Sequence, residues 1–405
     1  MTSFAGVSAT RQQWLTLFAA QAGYMLDAMD VLLFVFAVNV IRAQFHLSAT
    51  QAGLVSTFTL AFSALGGIGF GILSDRVGRA KSLVWSILIY SVASAGTALS
   101  WNLGSLLFWR AVVGVGLGAE WSAGAVLVAE TWPAEHRAKA VGIMQSGWAL
   151  GYLLAAGMTA LILPRWGWKP LFVAGLAPAF FALALRRRLQ EPEIWRRGRH
   201  EARVSPMGIL RGEWRRRTVL ASAQATAVLF AYWGLFTWIP GFLSASRESG
   251  GAGLSIVRTS GFIVPMQVGA FAGYVMFGWL ADRIGRRPAF VLYVLGAAIV
   301  TPVYGASHDA RTLLALGPLV GFLGTGFFSL FGAMLAELYP TSLRGAGLGF
   351  VYNVGRALSS MAPWVVGFFA DRYGIGASLA LNSAFFVLGA VLIFTLPETR
   401  RAELG

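Results

Sequence analysis

Twelve segments of this 405-residue sequence are each about as long and as apolar as the roughly 20 residues that a helix needs to cross hydrocarbon. They fall near residues 14–40, 51–73, 82–100, 105–130, 139–163, 168–187, 218–243, 257–280, 288–304, 312–336, 345–369 and 376–396. Lipid offers no water to backbone N–H and C=O groups, so each crossing must satisfy its own hydrogen bonds, as a helix does. Only 12% of residues are charged and 57% are hydrophobic, where a soluble domain carries roughly 25% charged residues to keep its surface wet. The expected fold class is therefore an all-α membrane protein of twelve transmembrane helices.

The net charge of +15 does not point to nucleic acid, because Lys and Arg sit in short loops between apolar runs rather than on one face of a soluble element. With the N-terminus placed inside, the loops on that side and the two termini hold 23 Lys and Arg, and the opposite loops hold seven. That asymmetry puts both termini in the cytoplasm. Arg110 and Arg356 lie inside apolar runs. The polar stretch around 187–217, with Arg186-Arg187-Arg188 and Arg215-Arg216-Arg217, reads as a basic cytoplasmic linker held near anionic headgroups. The chain contains no cysteine, and its four His are scattered singly, so neither a metal site nor a cofactor is expected. The first run lacks a basic leader, which argues against a cleaved signal peptide.

Two motifs recur at one constant shift. The run Gly71 to Arg79 (GILSDRVGR) matches Gly278 to Arg286 (GWLADRIGR), and Glu130, Pro133 and Arg137 match Glu337, Pro340 and Arg344. Each matched pair is 207 residues apart. Unrelated motifs sharing one shift imply duplicated six-helix units, and because six is even, the axis relating them runs along the membrane normal. The expected division is an N-terminal bundle over 1–187, a linker over 188–217, a C-terminal bundle over 218–399 and a tail over 400–405.

These residues resemble the major facilitator superfamily along the whole chain, the Gly-x-Leu-x-Asp-Arg-x-Gly-Arg loop in both halves being its signature. The segments from Glu130 to Arg137 and from Gln145 to Trp148, with Leu26-Asp27-Ala28-Met29-Asp30 in the first run, are similar to the metabolite:proton symporters, which include carriers of lactate, sialate and aromatic acids. The resemblance implies an alternating-access transporter and a gate in which Asp75 faces the start of helix 11 and Asp282 the start of helix 5. Arg76, Arg79, Glu130, Arg137, Arg283, Arg286, Glu337 and Arg344 belong to the same gating motifs, and the loop arginines alone also serve as topology determinants.

Ionisable groups at membrane depth are costly and normally face a cavity or a partner. Asp27 and Asp30 lie well inside the first run, spaced i, i+3 on one side of a helix, and two neighbouring carboxylates are candidates to bind and release a proton. Arg110 lies roughly 10 Å from the outer end of the fourth run at 1.5 Å per residue, a depth that permits a pair with an aspartate, either static or switching. Glu120 is a second candidate for proton coupling. Arg356 sits about 18 Å along its helix from Arg344, and a substrate carboxylate, Glu120 or Asp27 could satisfy it. Tyr352 and Asn353 pair through the repeat with Gln145 and Ser146, polar positions suited to a central pocket. Trp148 and Tyr232 supply aromatic walls, with Tyr152, Trp233 and Trp238 as weaker candidates.

The expectation is thus a secondary transporter of the inner membrane, multi-pass and working as a monomer. It imports a small organic anion, in particular a carboxylate, together with protons, and binds no nucleic acid. A proton-driven efflux antiporter and a non-transporting receptor are the rival readings. No nucleophile constellation, metal cluster or nucleotide loop marks an enzyme.

Overall fold

The computed structural model describes residues 2–4, 7–77, 79–132, 140, 142–177, 180, 184, 206–329, 334, 338–339 and 341–398. Apart from a hairpin of β1 (Thr2–Phe4) and β2 (Val7–Ala9), the regular structure of the described residues is helical. That hairpin lies outside the apolar runs and was not expected.

The first six helices are α1 (Arg11–Phe45), α2 (Ala49–Val77), α3 (Arg79–Thr97), α4 (Leu103–Thr131), α5 (Gly147–Trp166) and α6 (Trp168–Ala174). After the basic stretch come α7 (Gly212–Ser244), α8 (Ile256–Ile284), α9 (Arg286–Ala306) and α10 (Ala310–Gly326). The eleventh run is broken at Ser360 into α11 (Thr341–Ser359) and α12 (Ala362–Tyr373), where Pro363 opens the second piece. Proline suits the first turn of a helix because its missing N–H has no partner there anyway. The twelfth run is likewise divided, into α13 (Ile375–Leu379) and α14 (Leu381–Leu392).

Helix starts are written in the local sequence. Thr10 and Gln13 form a reciprocal capping box on α1, with Gln13 N donating to Thr10 Oγ1 at 3.2 Å and Thr10 N to Gln13 Oε1 at 2.8 Å. Asn102 forms the same reciprocal box with Ser105 on α4, and Asp309 caps α10 by accepting from Thr312 N at 2.9 Å, which satisfies N–H groups that a helix leaves unpaired in its first turn.

Seven helices among the described residues are long and apolar enough to cross a membrane. Their outward faces are apolar: Leu65, Ile68, Trp85, Val92, Leu161, Ile299, Val391 and Phe394 are exposed. A patch of that kind on a soluble protein would drive association, whereas lipid solvates it.

The duplication extends from sequence to contacts. Gly66 of α2 lies against the carbonyl of Val115 on α4, and Gly114 of α4 lies against the carbonyl of Thr59 on α2. At the same 207-residue shift, Gly273 of α8 meets the carbonyl of Phe322 on α10, and Gly321 of α10 meets that of Met266 on α8. Both pairs of helices touch backbone to backbone, an approach that only small residues allow. A side chain at Gly114 has no room, while nothing lies within 4 Å of the space beside Gly69. Gly114→Val is expected to lower stability by about 1–3 kcal/mol through overpacking, read as a fall in Tm in detergent, while Gly69→Ala leaves Tm unchanged.

Candidate functional site

Residues from both sides of the repeat surround a narrow central cavity. The first half contributes Tyr24, Asp27 and Val31 from α1, Leu117 from α4, and Gln145 and Trp148 from the α5 region. The second contributes Leu229, Tyr232 and Trp233 from α7, Tyr274 from α8, Phe328, and Tyr352 and Arg356 from α11. The stripe Tyr24, Asp27, Val31 follows the i, i+3, i+7 spacing of one helical face.

Arg356 is 7% exposed and its Nε finds no hydrogen-bond partner among the described residues. The ion pair formed among the described residues is that of Arg110 with Asp30, and Arg356 takes no part in it. Aromatic rings line most of the remaining wall. Tyr24 packs on Trp148 at 5.3 Å between centroids, Trp148 meets Trp233 edge to face at 5.7 Å, Trp233 meets Tyr232 at 5.2 Å, and Tyr232 meets Phe328 at 4.8 Å. The Trp148–Trp233 contact joins α5 to α7 and so crosses from one half of the repeat to the other.

Arg110 occupies a different place. Its Nη1 lies 3.5 Å from Asp30 Oδ2, with side chains 1% and 2% exposed. Its Nε donates to Thr59 Oγ1 at 3.3 Å, and its guanidinium sits 5.4 Å from the centre of the Phe34 ring. A smaller cavity adjoins Arg110, lined also by Ser56, Thr59 and Thr237. Val31 and Trp233 line both cavities. The two aspartates of α1 therefore divide, Asp30 toward Arg110 and Asp27 into the wall of the larger cavity. An i, i+3 pair is offset by about 60° around a helix, which is enough to aim the two carboxylates at different neighbours.

Of the residues expected at a pocket, Arg356, Tyr352, Gln145, Trp148 and Tyr232 line it, and so does Trp233. Asn353 does not: it donates to the carbonyl of Gly349 at 2.9 Å, and its Oδ1 lies over Gly67 of α2. Tyr152 and Trp238 also stand apart from it, as donors to the carbonyls of Phe236 at 3.2 Å and Pro363 at 3.0 Å. Tyr24, Tyr274 and Phe328 line the cavity without having been expected there. For Tyr24 the signal was available, one turn before Asp27; Tyr274 and Phe328 carry no charge or motif to mark them.

Most of the expected gate falls outside the described residues: Arg137 and Glu337 entirely, and the side chains of Asp75, Arg76, Arg79, Glu130, Asp282 and Arg344. The side chain of Glu120 falls outside them as well. Arg283 is exposed, and the backbone N–H groups of Arg286 and Arg287 donate to Glu398 at 3.0 Å each. At the opposite end of the bundle there is a latch that sequence reading missed. The Asp371 carboxylate of α12 accepts from Ala49 N at 2.7 Å, Thr50 N at 2.8 Å and Thr50 Oγ1 at 2.6 Å, all at the start of α2. A carboxylate at a helix N-terminus takes up orphan donors and meets the positive end of the dipole. Beside it, Asn39 of α1 donates to the carbonyl of Gly241 and to Ser244 Oγ on α7, both at 2.9 Å.

The match to known proteins decides the family. The Major Facilitator Superfamily model matches residues 21–273 and 258–404. The chain belongs to that superfamily. It is 36% identical over 404 residues to a putative metabolite transport protein of Haemophilus influenzae, covering 96% of this chain and 98% of the relative. It is 34% identical to a probable 4-methylmuconolactone transporter of Cupriavidus pinatubonensis, over 96% of this chain and 91% of that one. The crystal structure of a D-xylose-proton symporter shares the fold, with a TM-score of 0.78 at 19% identity over 97% of this chain and 100% of the other. The protein is thus a multi-pass membrane transporter of metabolites and not an enzyme.

Burial opposes ionisation of Asp371, but the hydrogen bonds from Thr50 and Ala49 outweigh it, and its pKa falls below the ordinary 3.8. A lowered folded-state value means that the latch stabilises fully above 3.8 and is lost as pH falls through the lowered value. The Tm of Asp371→Asn is expected to lie below wild type by a constant gap from neutral pH down to about 3.8, the gap then closing as pH falls through the lowered value.

Proposed function

We propose that the protein imports a small, flat organic monocarboxylate together with protons by alternating access. One observation carries this reading: the buried Arg356 guanidinium lines an aromatic cavity and has no carboxylate partner among the described residues. A guanidinium removed from water is costly until an anion meets it, and a carboxylate fits its planar fork with two parallel hydrogen bonds. Ring faces on several sides favour a conjugated or aromatic body over a polyol, since they offer area and few hydrogen bonds. A relative named for a muconolactone is consistent with that chemistry.

Asp30 is the proton carrier in this scheme. While ionised it holds Arg110 across 3.5 Å in a site closed to water. A proton on Asp30 removes the charge that holds Arg110, and the α1–α4 contact is then free to change. Asp27, in the wall of the central cavity, stands between the proton site and the anion site on the same helix. Val31 and Trp233 touch both cavities, so occupancy of one can be felt in the other by direct contact. One proton per monoanion makes the cycle electroneutral and leaves the pH gradient as the driving force.

The membrane frame follows the charge asymmetry: twelve spans in two six-helix halves, both termini in the cytoplasm, in the inner membrane. Asp75 and Asp282, with Arg76, Arg79, Arg283, Arg286 and the Glu130–Arg137 and Glu337–Arg344 segments, form the cytoplasmic gate. Asp371 on α2 and Asn39 on α7 form the opposite, outer closure.

Arg356→Ala is expected to cut uptake of a labelled aromatic monocarboxylate into cells by on the order of a hundredfold, the scale of losing a buried charged contact. Asp30→Asn is expected to abolish accumulation against a gradient while sparing exchange of internal for external substrate. Full concentrative uptake by both variants would remove both roles.

A further inference from the structure

The cavity holds donors that a simple carboxylate does not use. Besides Arg356 Nε, the indole Nε1 atoms of Trp148 and Trp233 are buried and meet no hydrogen-bond partner among the described residues. Both residues line the cavity, and they are 8% and 6% exposed. The Tyr232 hydroxyl stands beside the Trp148 indole without making a hydrogen bond of good geometry. An indole N–H is a donor only, so no rotation of the group turns it into an acceptor for a neighbour's hydrogen. A buried donor left unmade costs free energy that an arriving acceptor recovers.

From these unmade donors we infer that the substrate carries a second, uncharged hydrogen-bond acceptor, such as a carbonyl or a ring nitrogen, read by the Trp233 and Trp148 indole N–H groups. This rests on the carboxylate reading of Arg356. The second group is uncharged for two reasons on the cavity wall. Arg356 is the one cationic residue among the described residues that line it, and Asp27 lines the same space. A second carboxylate would therefore find no counter-charge and would face an acidic side chain. The two tryptophans come from opposite halves of the repeat and meet edge to face at 5.7 Å and 83°. An acceptor held by them therefore lies on the seam between the halves, where it can favour the closed arrangement. Trp148 and Trp233 are in this way specificity-determining residues.

The test is binding to the purified, full-length transporter at neutral pH, using matched acids. Benzoate and the pyridine-3- and pyridine-4-carboxylates share one shape, and a ring nitrogen replaces a C–H. Wild type is expected to bind at least one pyridine acid about threefold to tenfold more tightly than benzoate, the ratio expected of one neutral hydrogen bond. Trp233→Phe, which keeps an aromatic ring and removes the N–H, is expected to bind that acid no more tightly than the same variant binds benzoate. Trp148→Phe is the companion variant should Trp233→Phe not fold, with Tm as the check. Terephthalate is expected to bind more weakly than its monomethyl ester. Equal binding of all three ring acids by wild type, or equal loss of benzoate and pyridine acids in both tryptophan variants, overturns the inference. The anion site is judged separately: Arg356→Ala should lose every one of these acids, and retention of benzoate by that variant would sink the carboxylate reading itself.

Discussion

Two buried guanidiniums, one in each half of the repeat, impose the constraint on which the rest depends. Arg110 is 1% exposed and has its counter-ion in Asp30; Arg356 is 7% exposed and lies in the wall of a cavity with its Nε unpartnered. Buried charge is tolerated only where something compensates it. For Arg110 the compensation is internal, the ion pair that the proposed cycle breaks with a proton. For Arg356 the proposed function supplies it with the carboxylate of an arriving substrate. The two sites share Val31 and Trp233 in their walls, so a common packed surface, without a long chain of contacts, is enough to couple them.

Rigid halves are needed if such local events are to become a change of access. The glycine contacts of α2 with α4, repeated 207 residues later by α8 with α10, lock backbones together within each half. The contacts between halves are of another kind. Asp371 on the start of α2, Asn39 on α7 and Tyr152 on the Phe236 carbonyl are hydrogen bonds at helix ends and faces. Bonds of that sort can be exchanged for water at small net cost, whereas the close-packed glycine seams cannot be opened without losing many contacts. Motion is thereby directed to the seam between the halves.

Much of the fold was legible because lipid simplifies the code. Twelve apolar runs were expected, and helices fall on them, since a chain in hydrocarbon has few alternatives to a helix. The breaks near Ser360 and after Leu379 were not foreseen, because apolar content is continuous across both. At the site, Arg356, Asp27 and Arg110 announced themselves as charges at depth, and Tyr352, Gln145, Trp148 and Tyr232 came with them through the repeat or their aromatic character. Asn353 misled, since a polar residue one turn from Arg356 turns instead to Gly349 and Gly67. Tyr274 and Phe328 were hidden among many aromatics in apolar helices, and only tertiary packing singles them out. Asp371 was hidden because its three donors lie at the start of α2, more than 300 residues away in sequence.

The account depends most on a carboxylate and a proton moving in the same direction through one protein. Proteoliposomes loaded with an aromatic monocarboxylate, diluted into substrate-free medium and carrying a pH dye inside, test this directly. Outward flow of the acid should draw protons with it, so the lumen should turn alkaline, at a rate indifferent to membrane voltage and absent from Arg356→Ala. An acidifying lumen, or carboxylate efflux with no change of internal pH, would contradict the account.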